Sequence, residues 1–281
     1  MPTNPVPRFS ANTLKFLRAL KRNNRREWFN AHRDDYEVHV RQPMMAIIDR
    51  LAEDFRAFAP DLVASPKASM YRIYRDTRFS ENKTPYKTHV AAVFPCRGLP
   101  KHEGAGLYFH VSPDEVWVGG GMYGPQTPQL HVVREHIAAN LRRLRAIVES
   151  PSFRRTVGKL EGERLQRVPR GFAKDHEAAE YLKFRQFLAG CEFPPAFATS
   201  PKFYAGVLGV FQRVAPLTRF LNEPLLQAVS KPHVASDFSR ISHPGAAAAL
   251  GAPAKARLTA SAEASALKKP AATVLEPPLK G

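Results

Sequence analysis

The chain has 281 residues, of which 44% are hydrophobic and 24% charged, an ordinary composition for a globular protein with a sizeable core. Its formal net charge of +17 favours encounters with partners that carry phosphate or other acidic groups. The two cysteines, Cys96 and Cys191, lie far apart in the sequence, which argues against a disulfide framework and against a structural zinc site.

The sequence shows no sign of a membrane or export segment. The first residues lack the apolar core of a signal peptide, and no uninterrupted apolar run approaches the roughly 20 residues of a spanning helix. We therefore expect a soluble, cytoplasmic protein with no membrane partner. No pattern of residues predicts a cofactor or a metal site, and the oligomeric state stays open.

The first part of the chain has the period of helices. Leucines recur every three residues over residues 14–20 behind Ser10 or Asn12, either a fair N-cap, and predict a first helix that ends near residues 21–24. A second helix is predicted over residues 25–41. A third is opened or kinked by Pro43 and carries its large apolar side chains on one face.

The period then changes to that of strands. Residues 71–75 predict a strand whose expected partner is residues 90–94, across a polar loop. Residues 106–111 and 115–119 flank a Ser-Pro-Asp turn and predict a hairpin. The glycine-rich run at 119–124 is expected to end the second strand, by tight turns or close approach of the backbone.

Helical spacing returns over residues 130–148, where an apolar stripe lies under an arginine-rich face, and Pro151 is predicted to end it. Residues 182–188 show partial strand alternation. The Ser-Pro pair at 200–201 predicts the start of a last long helix, which Pro216 is expected to break.

The end of the chain has a different composition. Beyond about Ser236 it is rich in Ala, Pro, Ser and Lys and poor in large apolar residues, which predicts disorder. We assign residues 9–229 to a single α+β domain, with a small antiparallel-rich sheet covered by amphipathic helices, and residues 230–281 to a disordered basic tail. Residues 231–281 hold seven Lys and Arg against three Asp and Glu, so +13 of the net charge belongs to the rest of the chain.

The loop at residues 72–89 concentrates more hydrogen-bonding chemistry than any other stretch. Its candidate anion-binding residues are Arg72, Arg75, Arg78, Ser80, Lys83, Thr84 and Lys87. Arginine offers a planar fork that matches phosphate or carboxylate, lysine adds a compact charge, and hydroxyls donate to remaining oxygens. We predict a phosphate-containing ligand, with Arg75, Arg78, Lys83 and Lys87 as the main contacts and Ser80 and Thr84 as secondary donors.

A purely structural role for these cations is the competing interpretation. Asp76, Glu27 and Asp54 are acids that could pair with them in an internal network of ion pairs, without any external anion.

Three other functions stay open. Asp76 and His89 are weak candidates for a base in a phosphate-ester hydrolase or transferase, although no second carboxylate is visible to hold a catalytic metal. The same loop, the arginine-rich segment at 142–155 and the tail could together contact a nucleic-acid backbone. An interaction scaffold without a small ligand is the third.

Several blocks of the sequence resemble the DUF2461 family of uncharacterised proteins. They are Asn-Asn-Arg-Arg-Glu-Trp-Phe at 23–29, Arg-Asp-Thr-Arg-Phe-Ser at 75–80, Lys-Thr-Pro-Tyr-Lys-Thr-His at 83–89, Gly-Gly-Met-Tyr-Gly-Pro at 120–125, Pro-Arg-Gly-Phe at 169–172, Asp-His at 175–176 and Tyr-Leu-Lys at 181–183. The blocks span roughly residues 9–226 and leave out the tail. The resemblance implies one domain of mixed helix and sheet, and it implies no activity.

Overall fold

Residues 6–78 and 80–230 are described by the structure, a computed structural model, so the predicted tail beyond residue 230 lies outside the described residues. The helices are, in chain order, α1 (Ala11–Arg22), α2 (Arg26–Ala31), α3 (Arg33–Tyr36), α4 (Gln42–Phe58), α5 (Pro66–Ser69), α6 (Thr127–Ala139), α7 (Leu141–Val148), α8 (Pro151–Val157), α9 (Ala179–Leu182) and α10 (Phe203–Ser230). The strands are β1 (Val90–Phe94), β2 (Gly106–Val111), β3 (Val116–Met122) and β4 (Phe187–Phe193). Within these residues, no helix has the length and apolarity that crossing a membrane requires.

The four strands form one antiparallel sheet in the order β1-β2-β3-β4. The predicted hairpin of β2 and β3 is confirmed, and the Ser112 N–H donates to the Glu115 carbonyl oxygen at 2.9 Å where the two strands meet. The predicted α+β class with an antiparallel sheet covered by helices is therefore confirmed.

Alternate residues of the strands bury one face of the sheet, which we call the inner face, against α10 and α4. The Phe94 ring of β1 and the Phe109 ring of β2 lie 5.6 Å and 6.3 Å from the Phe211 ring of α10. Phe55 of α4 contacts Phe94 with centroids 5.0 Å apart. All four rings are at most 2% exposed, so the core lies between the sheet and these two helices.

The prediction that Pro216 breaks the last helix is wrong, because α10 continues through Pro216 and Pro224 to Ser230. A proline inside a helix costs about 3 kcal/mol. The helix buries Leu217, Phe220 and many other apolar side chains, each of which stabilises the fold by about 1.5–3 kcal/mol. Burial therefore outweighs the local preference.

Other helix boundaries also differ from the prediction. The segment at 25–41 is divided at His32 into α2 and α3, and a π-helical segment (Glu37–Arg41) then leads directly into α4. The stripe at 130–148 is divided at Asn140. Pro151 begins α8 instead of only ending the preceding helix, because Ser150 accepts a hydrogen bond from the Phe153 N–H and caps the new one.

The predicted strand at 71–75 is wrong, since this segment makes only isolated pairs. The Tyr71 N–H donates to the Ala91 carbonyl oxygen at 3.0 Å, and Tyr74 forms a single bridge with Tyr86. Pro85 has no N–H to contribute to a ladder. The strand partner of β1 is β2, and residues 72–89 project as a loop from the edge of the sheet.

β3 continues through the first glycines of the run at 119–124 and ends within it, at Met122. The expected close approach of the backbone is present at Gly121, where φ is +129° and a Cβ would clash with the Phe187 carbonyl oxygen of β4.

Candidate functional site

Asn24 fastens the return path of the 72–89 loop to the helical layer. Its Nδ2 donates to the Tyr86 carbonyl oxygen at 2.9 Å, and its Oδ1 accepts from the Tyr86 backbone N–H at 3.1 Å. The Phe29 ring of α2 stacks on the Tyr86 ring with centroids 4.2 Å apart. The loop is thus held against α2 by a paired amide and a stacked ring.

Arg75 is held inside the loop by hydroxyl groups. Its backbone N–H donates to the Pro85 carbonyl oxygen at 2.9 Å. Its guanidinium donates to Thr84 Oγ1 at 2.5 Å and more weakly to Ser80 Oγ at 3.5 Å. Among the described residues, no carboxylate accepts a hydrogen bond from Arg75 or forms an ion pair with it.

A cleft of about 330 Å³ opens between α2 and the loop. Its lining residues are Arg26, Asn30, Tyr74, Arg75, Thr77, Pro85 and Tyr86. It therefore holds one arginine from the helix and one from the loop, together with amide and hydroxyl groups. Arg26 and Asn30 were not predicted from the sequence as site residues. The only signal for Arg26 was its place in the family-like block at 23–29.

Arg78 and Asp76 neutralise each other. Arg78 Nε donates to Asp76 Oδ1 at 3.0 Å, its Nη2 donates to Oδ2 at 2.7 Å, and its backbone N–H also donates to Oδ1. These hydrogen bonds lower the pKa of the Asp76 carboxyl to about 2. Part of the internal pairing that competed with an anion site is therefore present at this position.

The two loop lysines lie in different surroundings. Lys83 Nζ donates to the Thr77 carbonyl oxygen at 3.0 Å, which brings its charge next to a residue that lines the cleft. Lys87 Nζ lies 4.7 Å from the centre of the Tyr71 ring, on the side of the loop that faces the sheet.

Arg72 lines a separate hollow of about 190 Å³. That hollow also contains Arg33, Arg41 and Glu37, and Arg41 Nη1 donates to Glu37 Oε2 at 2.9 Å. Tyr74 lines both the cleft and this hollow, and its hydroxyl accepts from Arg33 Nη2 at 3.3 Å. Arg75 therefore lines the cleft, and Arg72 lines the neighbouring hollow.

His89 lies between the loop and the sheet, beside His110 of β2, with ring centroids 5.4 Å apart. Burial first, and then the charges of His110, Lys87 and Arg75, lower the pKa of His89 to about 3. The ring is therefore neutral at neutral pH. Among the described residues, no hydrogen bond or ion pair joins His89 to Asp76.

Arg75 therefore lines the cleft, with Ser80 and Thr84 hydrogen-bonded to it. Lys83 lies near the cleft because it donates to the carbonyl oxygen of Thr77, a lining residue. Arg78 is paired with Asp76, while Arg72, Lys87 and His89 lie in other surroundings. Asp54, a possible partner for the loop cations from sequence alone, accepts instead from the Tyr204 hydroxyl at 2.5 Å. No group of three or more His, Cys, Asp or Glu within residues 6–78 and 80–230 could hold a metal ion.

The comparisons with known proteins agree with the resemblance seen in the sequence. A family described as conserved hypothetical protein (DUF2461) matches residues 12–220. Searches among curated proteins and among solved structures returned no match. The matched range includes α2, the loop at 72–89, the sheet and most of α10. The chain belongs to the DUF2461 family.

Proposed function

We propose that the chain binds a phosphate-containing anion in the cleft between α2 and the loop, with Arg75 and Arg26 as the principal contacts. The observation that carries the proposal is the environment of Arg75, whose guanidinium is held by two hydroxyls and by no carboxylate of the described residues. A half-buried arginine without an acid favours an external anion, because its charge is only partly solvated.

The donors of Arg75 suit a tetrahedral anion. A guanidinium has five N–H donors in a planar fork, and Thr84 and Ser80 accept two of them. The remaining donors can form the paired hydrogen bonds that arginine makes with phosphate. In this proposal Ser80 and Thr84 orient the arginine instead of contacting the ligand.

The other cations of the loop contribute less to the proposed anion site. Lys83 adds a nearby positive charge through its contact with Thr77. Arg78 contributes little net charge because Asp76 compensates it. Arg72 and Lys87 lie outside the cleft lining. The proposed contacts therefore shift from the loop alone to the loop together with α2.

The size of the cleft favours a small ligand. A volume of about 330 Å³ lies at the lower end of the range for small-molecule sites, about 300–1,000 Å³. Tyr74 and Tyr86 add aromatic surface beside the two arginines. A phosphate ester with a small organic part fits this combination of charge and surface.

Catalysis by Asp76 and His89 has less support than binding. A carboxylate with a pKa of about 2 and an imidazole with a pKa of about 3 are both weak bases at neutral pH. We therefore propose binding and assign no reaction.

The test is thermal unfolding in the presence of orthophosphate, pyrophosphate and ribose 5-phosphate. A ligand that binds only the folded state at about one hundred times its Kd stabilises the wild type by about 2.7 kcal/mol. Arg75→Gln should weaken that ligand about tenfold to a hundredfold, because a hydrogen bond to a charged group contributes about 1.5–3 kcal/mol. Arg26→Gln should also weaken it.

Arg142→Gln is the matched control, since it removes one exposed arginine outside the cleft and should leave the affinity within about twofold. Arg75→Lys keeps the charge and loses the fork, so it tests the geometry if Arg75→Gln does not fold. Absence of stabilisation by all three compounds, or equal stabilisation of wild type and both Arg75 variants, would overturn the proposal.

A further inference from the structure

The second face of the sheet, which we call the outer face, carries aromatic and polar side chains. The register places Ala91, His110, Trp117 and Glu192 in one row across the four strands. The next row contains Val93, Tyr108, Gly119 and Gly190. Tyr108 and Trp117 are half-buried, and their rings lie 5.8 Å apart.

Two glycines let Trp117 lie across the outer face. A Cβ at Gly119 would come within 2.6 Å of the far edge of the Trp117 indole, and one at Gly190 within 2.5 Å. The ring therefore lies over the backbone of β3 and β4, with one side against the sheet. This arrangement requires glycine at both positions and leaves part of the flat indole accessible beside Tyr108.

Two lysines lie next to these rings. Lys87 Nζ and Lys101 Nζ lie 4.7 Å and 5.0 Å from the centre of the Tyr71 ring, which is itself 6.3 Å from the ring of Tyr108. Burial first, and then the charge of Lys87, lower the pKa of Lys101. Lys101 Nζ also donates to the Ala68 carbonyl oxygen at 2.5 Å, which fixes its position beside the Tyr71 ring.

We propose that the outer face binds single-stranded nucleic acid, with bases stacked on Tyr108 and Trp117 and a backbone phosphate held by Lys87 and Lys101. Base stacking on exposed aromatic rings, with cations along the backbone, is how proteins hold single strands without sequence preference. The net charge of +17 on the whole chain supports an anionic polymer as the partner.

The acidic groups of the outer face limit where the phosphates of a bound nucleic-acid strand can lie. Glu115 Oε1 lies 3.3 Å from His110 Nε2, and Glu192 stands in the same row as Trp117. Phosphates are therefore expected along the Tyr71 side of the sheet and bases along the Trp117 side. This surface is distinct from the cleft at Arg75, and the inference does not depend on the proposed function.

The intrinsic fluorescence of Trp117 offers a direct test. The chain has two tryptophans, and the other, Trp28, stacks on His32 at 4.1 Å in the helical layer. In a Trp28→Phe background of the full chain, a short oligothymidylate should quench the emission of Trp117 saturably. An abasic oligonucleotide of the same length, which has the same phosphates and no bases, should bind at least about tenfold more weakly.

The variants separate stacking from charge. Trp117→Leu and Tyr108→Leu keep an apolar cover on the sheet and should each weaken oligothymidylate about tenfold, measured by fluorescence anisotropy of a labelled strand. Lys87→Gln with Lys101→Gln should reduce the slope of log affinity against log salt by about 0.7 to 1.4. The full chain is used throughout, so any contribution of residues 231–281 is the same in every variant.

Arg142→Gln is the matched control, because it removes an exposed arginine of α7, away from both the cleft and the outer face. It should retain tenfold discrimination between oligothymidylate and the abasic strand. Equal binding of the two strands by the wild type, or unchanged affinity in Trp117→Leu and Tyr108→Leu, would overturn the proposal. So would binding of an acidic peptide with quenching of Trp117 while oligothymidylate leaves the emission unchanged.

Discussion

The loop at 72–89 and the arginine-rich α7 are both strongly basic, yet their arginines have different partners. On α7, Arg143 Nη2 donates to Glu223 Oε2 at 2.8 Å and Arg145 Nη1 donates to Glu177 Oε1 at 2.7 Å. In the loop, Arg75 donates to hydroxyls. Arg143 and Arg145 are thus each paired with a carboxylate, whereas Arg75 is not paired with any carboxylate of residues 6–78 and 80–230.

This difference shows that the number of cations in a stretch says little about anion binding. An arginine that already has a bidentate carboxylate must give up that partner before it binds another anion. The rule holds within the loop as well, since Arg78 is paired with Asp76 while Arg75, three residues earlier, is not paired with an acid of the described chain. Whether an arginine can bind an external anion therefore depends on its own carboxylate partner, and not on the region in which it lies.

The largest expected effect comes from releasing the loop from α2. Asn24→Ala removes two hydrogen bonds to the backbone of Tyr86, a residue that is 3% exposed, and leaves those groups without their partner. We expect a loss of about 2 to 3 kcal/mol in the free energy of unfolding, measured with urea. Phosphate affinity should fall as well, because the loop supplies Arg75.

Asn140→Ala is the matched control from the arginine-rich region. Asn140 Nδ2 donates to the His136 carbonyl oxygen at 3.0 Å, at the end of α6. Its loss should cost about 1 kcal/mol and leave phosphate affinity unchanged. An equal loss of phosphate affinity in both variants would contradict the prediction that the attachment of the loop to the helical layer is needed for anion binding.

A smaller effect is expected from acid, through His89 at the base of the loop. The pKa of His89 is about 3 in the folded chain and about 6.5 in the unfolded chain, so the unfolded state binds the proton more readily. The stability that neutral His89 contributes is complete above about pH 6.5 and falls as the pH drops toward 3. The loss is about 1.4 kcal/mol for each pH unit, or about 2 kcal/mol between pH 6.5 and 5.

The measurement is the free energy of unfolding at several pH values for the wild type and for His89→Gln. The variant should lose about 2 kcal/mol less than the wild type over that interval. Parallel pH curves for the two proteins would mean that His89 has the same pKa in the folded and the unfolded chain, and would contradict this prediction. Burial also lowers the pKa of His136 on α6, so His136→Gln should flatten the curve in the same direction.

The smallest effect is expected on α7. Arg143→Gln and Arg145→Gln each remove an exposed ion pair, and exposed pairs contribute little to stability. We expect each variant to change the Tm by no more than about 2 °C and the phosphate affinity by no more than about twofold. A larger loss of affinity in either one would show that α7 contributes to anion binding after all.

Much of the fold could be predicted because its signals are local. The apolar periods of α1 and α4 and the turn between β2 and β3 lie within single elements, and the structure confirms all three. Predictions that depended on a distant partner did less well. The strand predicted at 71–75 was wrong, since the segment makes only isolated pairs and the ladder partner of β1 is β2. A break at Pro216 was also wrong, because the burial of α10 against the sheet outweighs the cost of proline.

The candidate site shows the same limit. The sequence identified the loop and its cations, but not that Arg26 and Asn30 of α2 line the same cleft. It predicted Ser80 and Thr84 as secondary donors to a ligand, and it did not predict that both hydroxyls accept from Arg75. It gave Trp117 no role beyond its position within the predicted strand at 115–119, since the role of Gly190 in making room for the indole depends on the register of β4.

By itself, the sequence determined the α+β class, the DUF2461 membership and the loop in which the cations concentrate, since composition, period and motif are properties of neighbouring residues. Only the tertiary structure decided which cations have an acid beside them. Residue spacing cannot reveal whether Arg75 or Arg78 meets Asp76, because that choice depends on how Pro85 and Tyr86 return along the chain and on how Asn24 holds them.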